Sequence, residues 1–340
     1  MGLSAMKSRR MSSQCRCAWA LWFVLIGSAS SSAFVVEPAP IDMVEDAIDF
    51  GDTDLALEVV PAGDRFGVRS GWSGEQTFEN LSLSAGIEGS KQPQDFGVNA
   101  TLGGRGEINW ALPVYEPLGL GLQLGTATVA SDNAVQVFEL LGLESHRYQQ
   151  YVTVGGFQRS SRGFAYGVVY DFLYQDFYDT VTLGQWRGRI STRAWSDIEL
   201  GMTAHVRSFG DDAAFNGSLV RLRSIDQASL YCRRFFATAA QGTVWLGVAD
   251  EHGQSNPLIG AVDATDEAFV VGADLLAPLS KDWAIYGETN LMMPADTGTV
   301  DAFMALVWYP CGNAKLARRT RYSPLLPVAA STSFSVDLLP

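Results

Sequence analysis

Residues 164–174 read Phe-Ala-Tyr-Gly-Val-Val-Tyr-Asp-Phe-Leu-Tyr, the clearest alternating pattern in the chain. Every second residue from Phe164 to Tyr174 is large and mostly aromatic, so an extended chain has one apolar face along the whole stretch. Its length matches the roughly 9–11 residues with which a tilted β-strand crosses a membrane. The stretch therefore predicts a transmembrane strand.

Similar stretches recur along the chain at intervals that suit hairpins. They predict twelve strands at 77–89, 95–112, 118–130, 147–158, 163–175, 181–193, 197–207, 227–237, 242–249, 267–277, 282–292 and 299–309. Bacterial single-chain barrels have an even number of strands, and only a closed barrel pairs every strand edge in lipid. We therefore predict an all-β, antiparallel, up-and-down transmembrane barrel of about 12 strands.

The connections between these strands alternate in length. The long ones, 131–146, 208–226 and 250–266, all fall at the same end of an up-and-down barrel, and short turns fall at the other end. Short periplasmic turns and longer outer loops are typical of outer-membrane barrels. The pattern predicts that both chain termini lie in the periplasm.

Residues 1–33 have the pattern of a secretory signal peptide. Lys7, Arg9, Arg10 and Arg16 precede the apolar run 17–26, and small residues lead to a cleavage site before Phe34. Its removal changes the net charge from −13 to −17, because it takes away four basic residues and no acidic one. Such an acidic protein is not expected to bind nucleic acid.

The expected domain organisation has four parts: the signal peptide at 1–33, an acidic periplasmic leader at 34–70, the barrel at 71–312 and a C-terminal tail at 313–340. The predicted location is the outer membrane, with lipid and the barrel-assembly machinery as partners. The leader is a solvated linker, a plug of the bore or a periplasmic contact segment. Whether Cys232 and Cys311 form a disulfide stays open.

Residues 197–207 alternate between apolar and polar side chains, so the polar set is expected to face the bore. The residues predicted to line the bore are Arg187, Arg189, Glu199, His205 and Arg207. Glu199 is expected to pair across the ladder with Arg187 and Arg189. Together with Arg233, the three arginines would favour small anions if the bore is open.

Residues for catalysis are scarce, because the chain has only three histidines, His146, His205 and His252. A lipid hydrolase of the outer membrane needs its histidine on the lipid-facing side of the barrel, where His205 does not lie. A surface peptidase could draw on the loop residues Asp211, Asp212, Asp250 and His252. Such loop residues are more typical of a solvated surface. Acidic loop residues without EF-hand spacing do not predict a calcium site either. No catalytic, cofactor or metal site is predicted.

Several segments together resemble a family of uncharacterised secreted proteins from planctomycete bacteria. The segments are Asp95–Asn99, Glu107–Trp110, Gly119–Gly125, Gly167–Phe172, Pro257–Gly260, Trp283–Met293, Leu306–Pro310 and Tyr322–Val328. The resemblance spans about 70–330 and implies an exported, β-barrel-like protein of unassigned activity. It supplies no site residues.

The function expected from these features is passive, as a narrow pore for small solutes or as a structural surface protein. The alternative is a binding module for a small apolar ligand, either a soluble lipocalin-like barrel or a membrane barrel. A lipid or peptide hydrolase is not favoured, so the protein is not expected to be an enzyme.

Overall fold

The computed structural model describes residues 78–339, apart from 97–98, 136, 141, 143, 162, 216, 251–267 and 294–297. The signal peptide, the acidic leader and most of the loop 250–266 therefore lie outside the described residues. Among the described residues, no helix is long and apolar enough to cross a membrane.

Twelve antiparallel strands form a closed barrel, as the sequence predicted. They are β1 (Leu81–Lys91), β2 (Thr101–Tyr115), β3 (Leu120–Asn133), β4 (Arg147–Arg159), β5 (Phe164–Asp176), β6 (Thr180–Arg193), β7 (Ile198–Phe209), β10 (Gln227–Phe235), β11 (Gln241–Ala249), β12 (Ala268–Pro278), β13 (Trp283–Met293) and β14 (Val300–Trp308). Each of these strands pairs with the next one named, so β7 pairs with β10, and β14 closes the barrel on β1, from Leu83 opposite Trp308 to Lys91 opposite Val300.

A second sheet has three strands. Two of them lie between β7 and β10 in sequence, and the third is formed by the last described residues. It contains β8 (Asp211–Phe215), β9 (Ser218–Ser224) and β15 (Val336–Leu339), in the order β15-β9-β8. The sequence analysis treated 208–226 as a loop and missed this hairpin. Short helical pieces occur at Pro93–Asp95, Glu116–Leu118, α1 (Val137–Leu140) and Ala314–Leu316.

The predicted strand 95–112 is wrong in its first part, because β2 begins only at Thr101. Residues 93–95 form a 3-10 turn that Pro93 starts and that ends at Phe96 with a left-handed φ of 56°. The Asp95 carboxylate accepts a hydrogen bond from the Gln92 amide at 2.8 Å, which holds this turn. This side chain–backbone contact outweighs the extended pattern of the sequence.

The barrel has two distinct ends. At the short-turn end, tight connections join β2 to β3, β4 to β5, β6 to β7, β10 to β11 and β12 to β13; the long-loop end holds the other connections and the second sheet. A buried cluster that includes Phe96, Phe215, Leu222, Phe334 and Val336 packs at the long-loop end. The second sheet therefore covers that end of the barrel.

The final residues do not form a tail at the end where β14 leaves the barrel. Residues 314–339, which we name the inner segment, begin beside the short turns, where the Ala314 amide bonds the Lys281 carbonyl. They end at the long-loop end, where β15 pairs with β9 from Val336 opposite Ser224 to Leu339 opposite Arg221. The first and last described residues therefore lie at opposite ends of the barrel, because the inner segment crosses the bore, and this contradicts the expectation for the C-terminal side of the chain.

Candidate functional site

The barrel is apolar outside and polar inside. In β5, Phe164, Tyr166 and Val168 are exposed on the outer face, whereas Asp171 and Gln175 on the inner face are buried. Side chains alternate between the two faces of a strand, so one register produces both surfaces. The candidate site is therefore the polar bore.

Buried ion pairs hold the wall of the bore together. Arg105 lies 2.8 Å from Glu88 and 2.6 Å from Glu107, and Arg147 lies 3.2 Å from Asp95. Charges removed from water are tolerated when they are paired and hydrogen-bonded in this way. These pairs connect different strands and loops, so they fix the inner wall as one network.

The inner segment binds this wall along its length. Near the short-turn end, Arg318 lies 2.8 Å from Asp274 of β12. Near the middle, the Ala329 amide donates to Thr153 Oγ1 of β4 at 2.9 Å, and the Ser331 hydroxyl donates to Glu88 of β1 at 2.7 Å. The segment therefore contacts several sides of the bore as it crosses.

Close packing supplements these polar contacts. A Cβ atom added at Gly125 of β3 would lie 2.6 Å from Val328 Cγ2, and one added at Gly121 would lie 2.4 Å from the Phe157 ring. Both distances are shorter than ordinary van der Waals contacts. The glycines on this face of β3 therefore let interior groups approach the wall closely, as the sequence indicated.

The residues predicted to line the bore have different surroundings. Arg187 is buried and pairs with Asp171, and its Nη2 atom donates to the Pro327 carbonyl at 2.9 Å. Arg189 donates to the Leu325 carbonyl at 2.8 Å. Both arginines therefore bind the inner segment instead of a free lumen.

Glu199, His205 and Arg207 have other partners. Glu199 lies 3.3 Å from Arg233 of β10, and not next to Arg187 or Arg189, because Arg193 is the β6 residue opposite Glu199 in the ladder. The predicted pairing of Glu199 with Arg187 and Arg189 is therefore wrong. His205 Nδ1 lies 2.9 Å from Gln227 Nε2.

Arg207 lies near the long-loop end of the barrel. Its side chain is 37% exposed and lies 3.1 Å from both Asp226 and Asp250. It therefore belongs to a partly solvated surface network at that end.

Two neighbouring cavities lie beside the inner segment. The larger, of ≈ 110 Å³, is lined by residues of both the wall and the segment, including Asn80, Arg189, Asp274, Tyr286 and Arg318. The smaller, of ≈ 60 Å³, shares Arg189 and Asp274 with it and also reaches His205. We name them the first and second cavities.

The charge of Arg318 in the first cavity is secured by its surroundings. Burial would lower its pKa, but the adjacent Asp274 carboxylate raises the pKa of Arg318 above its ordinary value. Burial raises the pKa of Tyr309, another residue of this cavity, to about 12. At neutral pH the cavity therefore holds a charged Arg318 and a neutral Tyr309.

The described residues do not assemble a hydrolytic or metal centre. His146 is exposed and lies 3.3 Å from Asp132, and His205 bonds an amide, while His252 lies outside the described residues. Within the described ranges, no three histidine, cysteine, aspartate or glutamate residues are placed to hold a metal ion. Cys232 and Cys311, both described, are not joined by a disulfide.

Sequence reasoning missed the interior role of residues 314–339. The run Ser323-Pro-Leu-Leu-Pro-Val328 shows neither helical nor strand periodicity. It is, however, more apolar than a solvated tail usually is. In the structure, Leu325, Leu326 and Val328 are all buried. That composition was the one available signal.

A protein-family model described as "Family of unknown function (DUF6666)" matches residues 80–336 of this chain. No curated protein matches. Similar solved structures include the KdgM porin, with a TM-score of 0.38 and 9% identity over 67% of this chain and 98% of that chain.

Two further structures show the same kind of likeness. The β domain of the Bordetella autotransporter BrkA has a TM-score of 0.43 and 12% identity over 68% of this chain and 99% of its own. A mutant of the TodX monoaromatic hydrocarbon channel has a TM-score of 0.40 and 8% identity over 67% of this chain and 87% of its own. At such identities the likeness concerns the fold.

Proposed function

Since the chain belongs to DUF6666, a family of unknown function, we propose a function from its own structure: an outer-membrane barrel, closed by its inner segment, that acts as a structural surface protein. The observation that carries this proposal is the set of hydrogen bonds between the inner segment and β1, β4 and β6. These bonds hold the segment across the bore where an open pore needs solvent. Planctomycete origin stays a prediction.

The outer surface supports insertion into lipid. Its exposed residues include Val152 and Val154 of β4, Met202 and Val206 of β7, and Val244 and Leu246 of β11. A soluble barrel has the opposite polarity, with apolar side chains inside. An apolar outer band around a polar interior is the arrangement of a transmembrane barrel.

The unequal ends of the barrel suggest its orientation. In our proposal the short-turn end faces the periplasm, and the long-loop end, with the second sheet, faces outward. Residue 78 then lies on the periplasmic side and Leu339 on the outer side. Lipid and the barrel-assembly machinery remain the proposed partners.

Membrane fractionation of the exported protein tests this proposal. We expect it in the outer-membrane fraction, beginning at Phe34, with a gel mobility that changes on heating in detergent. Recovery as a soluble periplasmic protein would exclude the membrane assignment and leave the lipocalin-like alternative. That alternative is disfavoured because charged Arg189, Asp274 and Arg318 line the first cavity, which suits an apolar ligand poorly.

A narrow pore for small solutes is the second candidate. It is favoured by one observation: the two cavities share Arg189, Asp274, Leu326 and Pro327, so they adjoin along the inner segment. Small solutes would then pass beside the segment. Conductance separates this candidate from the closed barrel.

A further inference from the structure

Arg189 differs from most of the arginines that face the bore. Five of them lie within ion-pair distance of a carboxylate: Arg105, Arg147, Arg187, Arg233 and Arg318. Arg189 has no such partner among the described residues. Its guanidinium contacts Thr203 Oγ1 at 3.4 Å and the Leu325 carbonyl at 2.8 Å, and lies 4.9 Å from the centre of the Tyr231 ring.

A second arginine adds to this excess of positive charge. Arg159 donates to the carbonyls of Ser323 and Pro324, both at 3.3 Å, and its buried Nε atom has no hydrogen-bond partner. Arg233 uses Glu199. Among the described residues, the guanidinium groups of Arg159 and Arg189 therefore have no carboxylate within ion-pair distance, and unpaired charge is costly where it is shielded from water.

The first cavity has the space and donors for the missing counter-charge. Two acidic residues of its lining already have partners, because Glu107 lies 2.6 Å from Arg105 and Asp274 lies 2.8 Å from Arg318. Tyr286, which is 93% buried, lines the same cavity with a hydroxyl that has no hydrogen-bond partner. Arg189 and Tyr286 thus bring to this cavity donors that no carboxylate or hydrogen-bond acceptor of the described residues fully engages.

We propose that the first cavity binds a small oxyanion, a carboxylate or a phosphate, at Arg189. A planar guanidinium presents paired donors that match both groups. The cavity reaches exposed Glu79 and partly exposed Asn313 at the short-turn end, so a solute enters there without crossing the inner segment. This site does not depend on the barrel being closed to ions.

Calorimetric titration of the purified full chain in detergent tests the proposal, with sodium phosphate and sodium acetate as separate probes against sodium chloride at equal ionic strength. We expect saturable binding of at least one probe, and the stronger probe identifies the group. Arg189→Gln should raise the Kd at least about tenfold, since hydrogen bonds to charged groups contribute about 1.5–3 kcal/mol. The matched control Arg193→Gln changes an exposed arginine on the same strand and should bind as the wild type does.

A second variant keeps the test decisive if Arg189→Gln fails to fold. Asn80 lines the cavity, and its Oδ1 accepts a hydrogen bond from Thr320 at 3.0 Å, which an aspartate also accepts. Asn80→Asp therefore keeps this contact, adds negative charge and should weaken binding several-fold; Asn133→Asp, at the other end of the barrel, should not. Absence of saturable binding by the wild type, or equal binding by wild type, Arg189→Gln and Asn80→Asp, would overturn the proposal.

Discussion

The Nη2 atom of Arg187 lies 2.9 Å from the carbonyl oxygen of Pro327, which joins the wall of the barrel to the segment that crosses it. The same guanidinium pairs with Asp171 of the neighbouring strand β5. The Arg187 guanidinium thus contacts both the barrel wall and the inner segment. The inner segment is therefore part of the folded interior.

Breaking this pair should destabilise the barrel. Asp171→Asn leaves Arg187 buried without its carboxylate, and the loss of one partner of a buried pair typically costs about 3–5 kcal/mol. We expect a lower temperature for the heat-induced change in gel mobility. The double variant Asp171→Leu with Arg187→Met removes both charges and should recover much of the loss; an unchanged transition in Asp171→Asn would contradict the structural importance of the pair.

Packing between β3 and the inner segment should depend on Gly125. Gly125→Ala places a methyl group 2.6 Å from Val328 Cγ2, so one of the two must move. Overpacking of this kind costs about 1–3 kcal/mol. Urea unfolding should show this loss, and adding Val328→Ala should restore part of it by making room. No rescue by Val328→Ala would mean that the two residues do not touch.

The outward register should tolerate charge poorly in a bilayer. Val154 lies near the middle of β4 and is exposed on the outer face, so Val154→Arg should cost about 2–4 kcal/mol in lipid. The control is Leu140→Arg in α1, which lies outside the barrel strands and should change little. Folding yields in vesicles give the comparison. Equal yields for the two variants would argue against lipid at Val154.

The barrel was readable from sequence because its determinants are local. Alternation along 164–174 and 197–207 sets which side chains point outward, and the tight turns set the end of each strand. The hairpin of β8 and β9 was hidden because strands of five and seven residues in a polar loop carry little pattern.

The contents of the bore were not readable, because they depend on contacts between distant residues. Ser331 and Glu88 are 243 positions apart, and no local period predicts such a bond. The partner of Glu199 was misassigned for a related reason. Both registers bring an arginine opposite Glu199, Arg193 of β6 and Arg233 of β10. Arg193 is exposed, whereas Arg233 is buried and lies 3.3 Å from Glu199, a difference that the strand pattern does not show.

The most direct test of a barrel closed by its inner segment is single-channel conductance in planar bilayers. We expect no stable open steps from the wild type, and steps from a variant that lacks residues 320–340 but retains its heat-modifiable mobility. Steady conductance from the wild type, equal to that of the shortened variant, would contradict the account.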